Sequence, residues 1–184
     1  GPPDPEEPDR VADAVRRLAL RYAVITSVTR DDLDDGGAGQ FVRTVRAIRA
    51  CCPETAVEIL IPDFRLNRQA IDAVASCGAE VIGHNVETVP SLYGAVRPQA
   101  DYGRSLEVLR LVGQTAARAM TKSGIMLGLG ERRDEVLRVF DDLRSAGCDY
   151  LSIGQYLAPS RHHYPVREFV SPEVFAEMAE EARA

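Results

Sequence analysis

Two stretches decide the architecture: "SCGAEVIGHN" (residues 76–85) and "SAGCDYLSIGQ" (residues 145–155). Both run through the same order of small residue, glycine, small residue, acid and apolar run. A glycine in that position closes a helix by taking the left-handed conformation, and the aliphatic run behind it reads as a strand. Each stretch is therefore a helix-to-strand junction. Working outward, apolar runs of strand length recur at Tyr22–Val28, Ala56–Pro62, Glu80–Val86, Ser123–Leu129 and Tyr150–Tyr156. None alternates strictly between apolar and polar, as expected of strands covered on both faces. Between them lie stripes at helical spacing: Val11, Val15, Leu18; Phe41, Val45, Ile48; Val136, Phe140, Leu143. A last helix starts at "SPEVF", with Ser171 as N-cap and Pro172 at the first helical position. The unit is βα, repeated about five times with an extra helix in front, which predicts a parallel α/β sheet. A closed eight-unit barrel needs about 250 residues. A chain of 184 residues makes part of one, or an open sheet.

The composition predicts one domain spanning residues 1–184, with 45% hydrophobic and 27% charged residues. A net charge of -6 argues against nucleic-acid or anionic-membrane partners, which need a positive surface. No apolar run is long enough to span a bilayer, and the acidic, proline-rich start "GPPDPEEPDR" does not read as a signal peptide. Four irregularly spaced cysteines make no disulfide framework, so the reading is a cytoplasmic protein.

In parallel βα folds, function collects at the carboxyl ends of the strands. Polar loops stand there: "TSVTRDDLDDGGAG", "PDFR", "HNVET", "GLGE" and "GQYLAPS". In the first, Asp34, Asp35, Gly36 and Gly37 also suit a plain turn and helix start. His84 reads as a hydrogen-bonded structural histidine, and the basic run "PSRHHYPVR" as either a solvated loop or a docking surface for an acidic partner. The adjacent Cys51 and Cys52 fail the spacing that brings metal ligands together. With Cys77 and Cys148 they read as small buried side chains.

With these loops in view, the chain resembles the lipoyl synthase family of radical S-adenosylmethionine enzymes over nearly its whole length. The resemblance rests on "VITSVTRDDLDDGGAGQF", "EILIPDF", "HNVETVPSLYGAVRPQADYGRSL", "TKSGIMLGLGE" and "GCDYLSIGQYLAPSRHHYPVREFVSPEVF". Thr29 stands where the family has Asp, and Leu66 where it has a small residue. The resemblance implies a partial (β/α)6 barrel, here with about five parallel strands. It implies S-adenosylmethionine and two [4Fe-4S] clusters as cofactors, one of the clusters giving up sulfur. The implied product is a lipoyl group, built on an octanoyl chain already attached to a lysine of a carrier protein. The implied carriers are the glycine cleavage H protein and the lipoyl domains of 2-oxoacid dehydrogenase E2, with an electron donor as a further partner. Cofactor contacts map onto Asp34, Asp35, Gly36 and Gly37 for the methionyl amino group, and onto Asn85 and Glu87. Arg97 and Lys122 map onto partners of the cofactor carboxylate, by charge as well as by resemblance. The family motif GxIxGxxE reads here as Gly124, Met126, Gly128 and Glu131, and Gln155 reads as an adenine-side or loop-fixing group. Asp35, Asn85, Glu87, Lys122 and Gln155 are expected to line one shared cleft.

The family holds its clusters with CxxxCxxC and Cx4Cx5C, and neither pattern occurs among the four cysteines. The catalytic residues stay unassigned and no residue is assigned to a metal. Two readings follow: the greater part of a lipoyl synthase, inactive by itself, or a non-catalytic module keeping the cofactor or carrier surface.

Overall fold

The computed structural model describes residues 1–116 and 118–183. Five strands lie in one parallel sheet in sequential order: β1 (Tyr22–Thr26), β2 (Ala56–Leu60), β3 (Val81–Gly83), β4 (Met120–Leu127) and β5 (Tyr150–Gln155). β1 and β5 are the edges, so the barrel is not closed. Helix α1 (Glu7–Arg17) precedes β1, and α2 (Ala38–Cys51), α3 (Arg68–Ala75), α5 (Tyr102–Thr115) and α6 (Arg133–Ser145) make the crossovers. A single short turn, α4 (Tyr93–Val96), precedes α5, and α7 (Pro172–Arg183) follows β5. Two of the crossover helices, α3 and α5, start on side-chain caps. Asn67 Oδ1 accepts from the amide of Ala70 at 3.2 Å, and Asp101 Oδ1 from that of Arg104 at 2.7 Å.

Register explains which side chains meet. Val24, Glu58, Val81 and Met120 form one row across the sheet, and Thr26, Leu60, Gly83, Lys122 and Tyr150 the next. Paired residues in a parallel sheet share a face, so these residues form the concave inner surface. It is open: Tyr22, Val24, Met120 and Tyr150 are all exposed. The alternate residues, among them Val57, Ile59, Ile82, Ile125 and Leu127, are buried under the helices. Two apolar clusters form there and α5 serves both, Val108 and Val112 in one and Leu106 and Leu109 in the other.

All five strands end one to three residues before their expected bounds, and the two largest shifts have physical reasons. β3 ends at Gly83 rather than Val86, because the chain bulges after His84 and rejoins β4 through Glu87. The Glu87 amide donates to Gly124 O at 2.8 Å and its carbonyl accepts from Met126 N at 2.8 Å. β4 starts at Met120 rather than Ser123, since Thr121 is sealed by Asp149, whose Oδ2 accepts from the Thr121 amide at 2.7 Å. No helix among the described residues is long and apolar enough to cross a membrane.

Candidate functional site

At the carboxyl ends of β1, β2 and β3 lies a cleft of about 800 Å³, walled also by the α4–α5 connection. That volume suits a ligand of nucleoside size. Its floor behind β2 is a left-handed turn at Phe64, Arg65 and Leu66 (φ 46°, 50° and 58°). Each such residue costs on the order of 1 kcal/mol without glycine. The turn is held by Asp63, whose Oδ1 accepts from the Arg65 amide at 2.9 Å. It also needs Gly36, since a Cβ there would stand 2.8 Å from Phe64 Cδ1. Arg65 Nη2 reaches Asp31 Oδ2 at 2.9 Å, joining the β1 and β2 loops. Asp63 Oδ2 lies 3.0 Å from Arg104 Nε, an ion pair in which that N–H is not aligned for a hydrogen bond.

The β3 end supplies Asn85 and Glu87. Glu87 is itself left-handed (φ 65°), and its Oε1 accepts from Asn85 Nδ2 at 3.0 Å. Asn85 lies across Gly124, where a Cβ would come within 2.9 Å of its Oδ1. The first glycine of the β4 motif thus makes room for an amide of the cleft. Arg97 stands beside them, its Nη1 donating to Asn85 O at 3.2 Å, Val86 O at 3.1 Å and the Tyr93 hydroxyl at 3.1 Å. Its guanidinium lies 5.4 Å from the Tyr93 ring centroid. Arg97 takes part in none of the ion pairs found among the described residues, and it lines the cleft together with Glu87. Tyr93 donates to Val86 O at 2.7 Å, and burial pushes its phenol above the ordinary value.

Beneath them, His84 is 5% exposed. Burial lowers its basicity, a shift to which Arg97 and Arg104 add, so the ring is neutral near pH 7. Ile61 O, 2.9 Å from Nδ1, can only accept; Nδ1 therefore carries the proton and Nε2 accepts from Ser105 Oγ at 3.1 Å. His84 fastens the end of β2 to α5, which fits its reading as structural.

Of the five residues expected to share a cleft, only Asn85 and Glu87 meet there, joined by Arg97. Asp35 is turned onto its own helix, accepting from Gly37 N at 2.9 Å and Gly39 N at 2.8 Å. Asp34 offers its carbonyl to Asn67 Nδ2 at 3.2 Å, and Gly36 and Gly37 are left-handed positions of the same turn. Lys122 is the third residue of β4 and turns away to Glu58, Nζ to Oε1 at 2.8 Å. The other Glu58 oxygen accepts from Tyr22 at 2.5 Å. Burial and that carboxylate push the Tyr22 phenol up to about 12. Gln155 faces the helix side and acts as a clamp. Its Nε2 donates to Tyr156 O at 2.9 Å and Glu168 O at 3.0 Å, and its Oε1 accepts from Val170 N at 2.9 Å. Gly128 (φ 95°) is covered by that amide and by the Glu168 carbonyl, leaving no room for a Cβ. Glu131 closes the turn by accepting from Gly128 N at 2.7 Å and Leu129 N at 2.9 Å. The end of the β4 motif therefore builds a loop. Sequence reasoning missed Asp31, Asp63, Arg65 and Arg104. The signal for two of them was "PDFR", a charged pair directly behind an apolar run.

The cysteines lie at the other end of the sheet, in helix-to-strand connections: Cys51 and Cys52 close α2, Cys77 follows α3 and Cys148 follows α6. Only Cys77 is buried, against the expectation for all four; Cys51 is exposed, and Cys52 and Cys148 are intermediate. The described residues contain no group of three or more His, Cys, Asp or Glu able to hold a metal. The residues present thus fit an organic cofactor in the cleft and do not fit a [4Fe-4S] cluster, which needs several converging thiolates.

A parallel partial barrel with its polar cleft at the strand ends is the architecture of one large enzyme class, and residues 1–143 match the Radical SAM superfamily. The chain belongs to that superfamily. Within it, the chain is 62% identical over 174 residues to lipoyl synthase of Geobacter metallireducens, covering 95% of this chain and 61% of the relative. It is 60% identical over 179 residues to that of Geobacter sulfurreducens, covering 97% and 59%. The chain thus spans about 60% of the length of these curated relatives. Among solved structures it resembles HydG, a maturase of the [FeFe]-hydrogenase, with a TM-score of 0.77 at 15% identity, covering 100% of this chain and 43% of that one. Methylornithine synthase (PylB) follows at 0.73 and 15%, covering 97% and 52%. At such identity these two show the fold alone.

Proposed function

We propose that this chain is the S-adenosylmethionine-binding barrel of a lipoyl synthase, which inserts two sulfur atoms into an octanoyl-lysine of a carrier protein. The observation that carries this reading is the 62% identity to a lipoyl synthase over 95% of the chain. The carriers would be octanoylated proteins such as the glycine cleavage H protein and the E2 lipoyl domains, with a separate electron donor.

In this reading Arg97 takes the cofactor carboxylate, as its place in the cleft beside Asn85 and Glu87 supports. Asn85 and Glu87 offer an amide and a carboxylate to the donor groups of the cofactor. Held by Asn85, Glu87 and Arg97, S-adenosylmethionine would supply radical chemistry there. The residues of this chain bind and orient. His84 and the strained turn at residues 64–66 fix the walls, and Gln155 fixes the loop past β5. No cluster is assigned to the four cysteines. Given iron, sulfide, reductant, S-adenosylmethionine and an octanoylated carrier, the 184-residue chain should form neither 5′-deoxyadenosine nor lipoyl product. Anaerobic reconstitution with iron counting and product analysis tests this. Stoichiometric [4Fe-4S] uptake with turnover would overturn the placement of the cysteines.

A further inference from the structure

The adjacent Cys51 and Cys52 lie far from the cleft and take no part in the function proposed above. Their Sγ atoms are 3.3 Å apart, although successive residues of a regular helix diverge. The cause is local. Cys51 is the last helical residue of α2, while Cys52 has left the helix (φ −138°, ψ 66°) ahead of Pro53, which swings its side chain back beside its neighbour. Cys51 Sγ is further held at 3.6 Å from Ala12 O of α1 and 3.7 Å from Ile48 O, and it remains exposed.

We propose that Cys51 and Cys52 form a two-thiol chelating site for trivalent arsenic, taken up as an organoarsenical(III) oxide. Three observations select this ligand class. The site offers two thiols and no third ligand, since the described residues contain no metal-binding group of three. That disfavours zinc, which closes its coordination with four protein ligands. The bite is also short. With thiolate bonds of about 2.3 Å, a linear two-coordinate metal needs sulfurs about 4.6 Å apart, whereas a right-angle pyramidal centre needs about 3.3 Å. Lastly, the thiols stand at a helix carboxyl end, where the macrodipole disfavours anionic thiolates. The hydrogen bond with Cys51, more than desolvation, keeps the Cys52 thiol protonated to a higher pH than usual, and Arg16 only partly opposes this. A condensation that consumes protonated thiols and leaves a neutral product suits that place.

The step balances without any redox change. Two S–H bonds and the As=O unit are broken, two S–As bonds form, and the two thiol protons leave with the oxygen as one water. Arsenic stays trivalent.

Phenylarsine oxide is the probe, with the folded 184-residue chain at neutral pH and native intact-mass detection. The expected result is one phenylarsenic per chain, with one water lost, retained against excess glutathione and removed by dithiothreitol. Cys51→Ser and Cys52→Ser should each lose the glutathione-resistant adduct, while Cys77→Ser and Cys148→Ser keep it. All four variants are checked for the wild-type circular dichroism spectrum. Glutathione removing the wild-type adduct as readily as that of the single-serine variants would overturn the proposal, because the two sulfurs would then act separately. A resistant adduct persisting in Cys51→Ser would also overturn it. Neither outcome depends on S-adenosylmethionine, so the proposal stands or falls apart from the functional reading.

Discussion

Replacing Lys122 by methionine separates a structural role from a cofactor role at the position where resemblance and geometry disagree. Lys122 Nζ lies 2.8 Å from Oε1 of Glu58, a carboxylate only 5% exposed, whose other oxygen is held by Tyr22. At that separation two unit charges attract by roughly 6 kcal/mol at an effective dielectric near 20, and desolvation of the pair offsets much of it. Removing one partner leaves the other charge buried, which costs about 3–5 kcal/mol in a fully enclosed pair. Lys122 is 31% exposed at its side chain, so water can take over part of its task and the expected loss is about 2 kcal/mol. Tyr22→Phe, which removes a neutral donor to a charged acceptor, should cost about 1–2 kcal/mol. Glu58→Gln combined with Lys122→Met should recover part of the loss, giving a coupling of about 1 kcal/mol or more. Urea unfolding at pH 7, extrapolated linearly for the wild type, both singles and the double, measures the cycle. Unchanged stability in Lys122→Met, together with a loss of S-adenosylmethionine binding, would refute the reasoning and return Lys122 to the cofactor.

Gly128→Ala combines a φ of 95° with a Cβ pressed onto Gln155 and the Glu168 carbonyl, so it should lower stability by about 2–4 kcal/mol and free the loop after β5. Thermal unfolding and limited proteolysis between residues 156 and 170 check it. His84 makes stability depend on pH. Its folded-state basicity is depressed, so below about pH 6.5 the unfolded chain binds the proton first. Stability is full above that pH and falls, by at most about 1.4 kcal/mol per unit, as pH drops toward the folded-state value. Asp63, Arg97 and Arg104 bear on the ring, and His84→Gln should flatten the slope of melting temperature between pH 7 and 5.5 relative to wild type.

The strands were legible because parallel pairing writes apolar runs of the right length, and all five runs became strands within a few residues of their expected bounds. What failed was placing polar residues from those runs alone. Lys122 stands in register with Thr26, Leu60 and Gly83 at the ends of β1 to β3, yet its Nζ is drawn to Glu58, a pairing the apolar runs alone did not reveal. Gln155 closes its strand, yet side-chain alternation turns it to the helix layer, and a run without strict alternation does not reveal which face is inner. Asp35 satisfied the plain helix-start reading available from "DDGG". The strained turn at residues 64–66 could not be read at all, because "FRL" carries no glycine to mark a left-handed path. Adjacent cysteines looked like buried filler until the break of α2 at Cys52 brought the two sulfurs together.

Amide chemical shifts of the ¹⁵N-labelled chain, titrated with S-adenosylmethionine, test the central claim most directly. The expected perturbations cluster at residues 61–65, 84–87 and 97–104, weaken in Arg97→Met and Glu87→Gln, and persist in Lys122→Met. Shifts confined to Gly128, Gln155 and the loop behind them, or a titration that moves no amide of the cleft, would contradict the account.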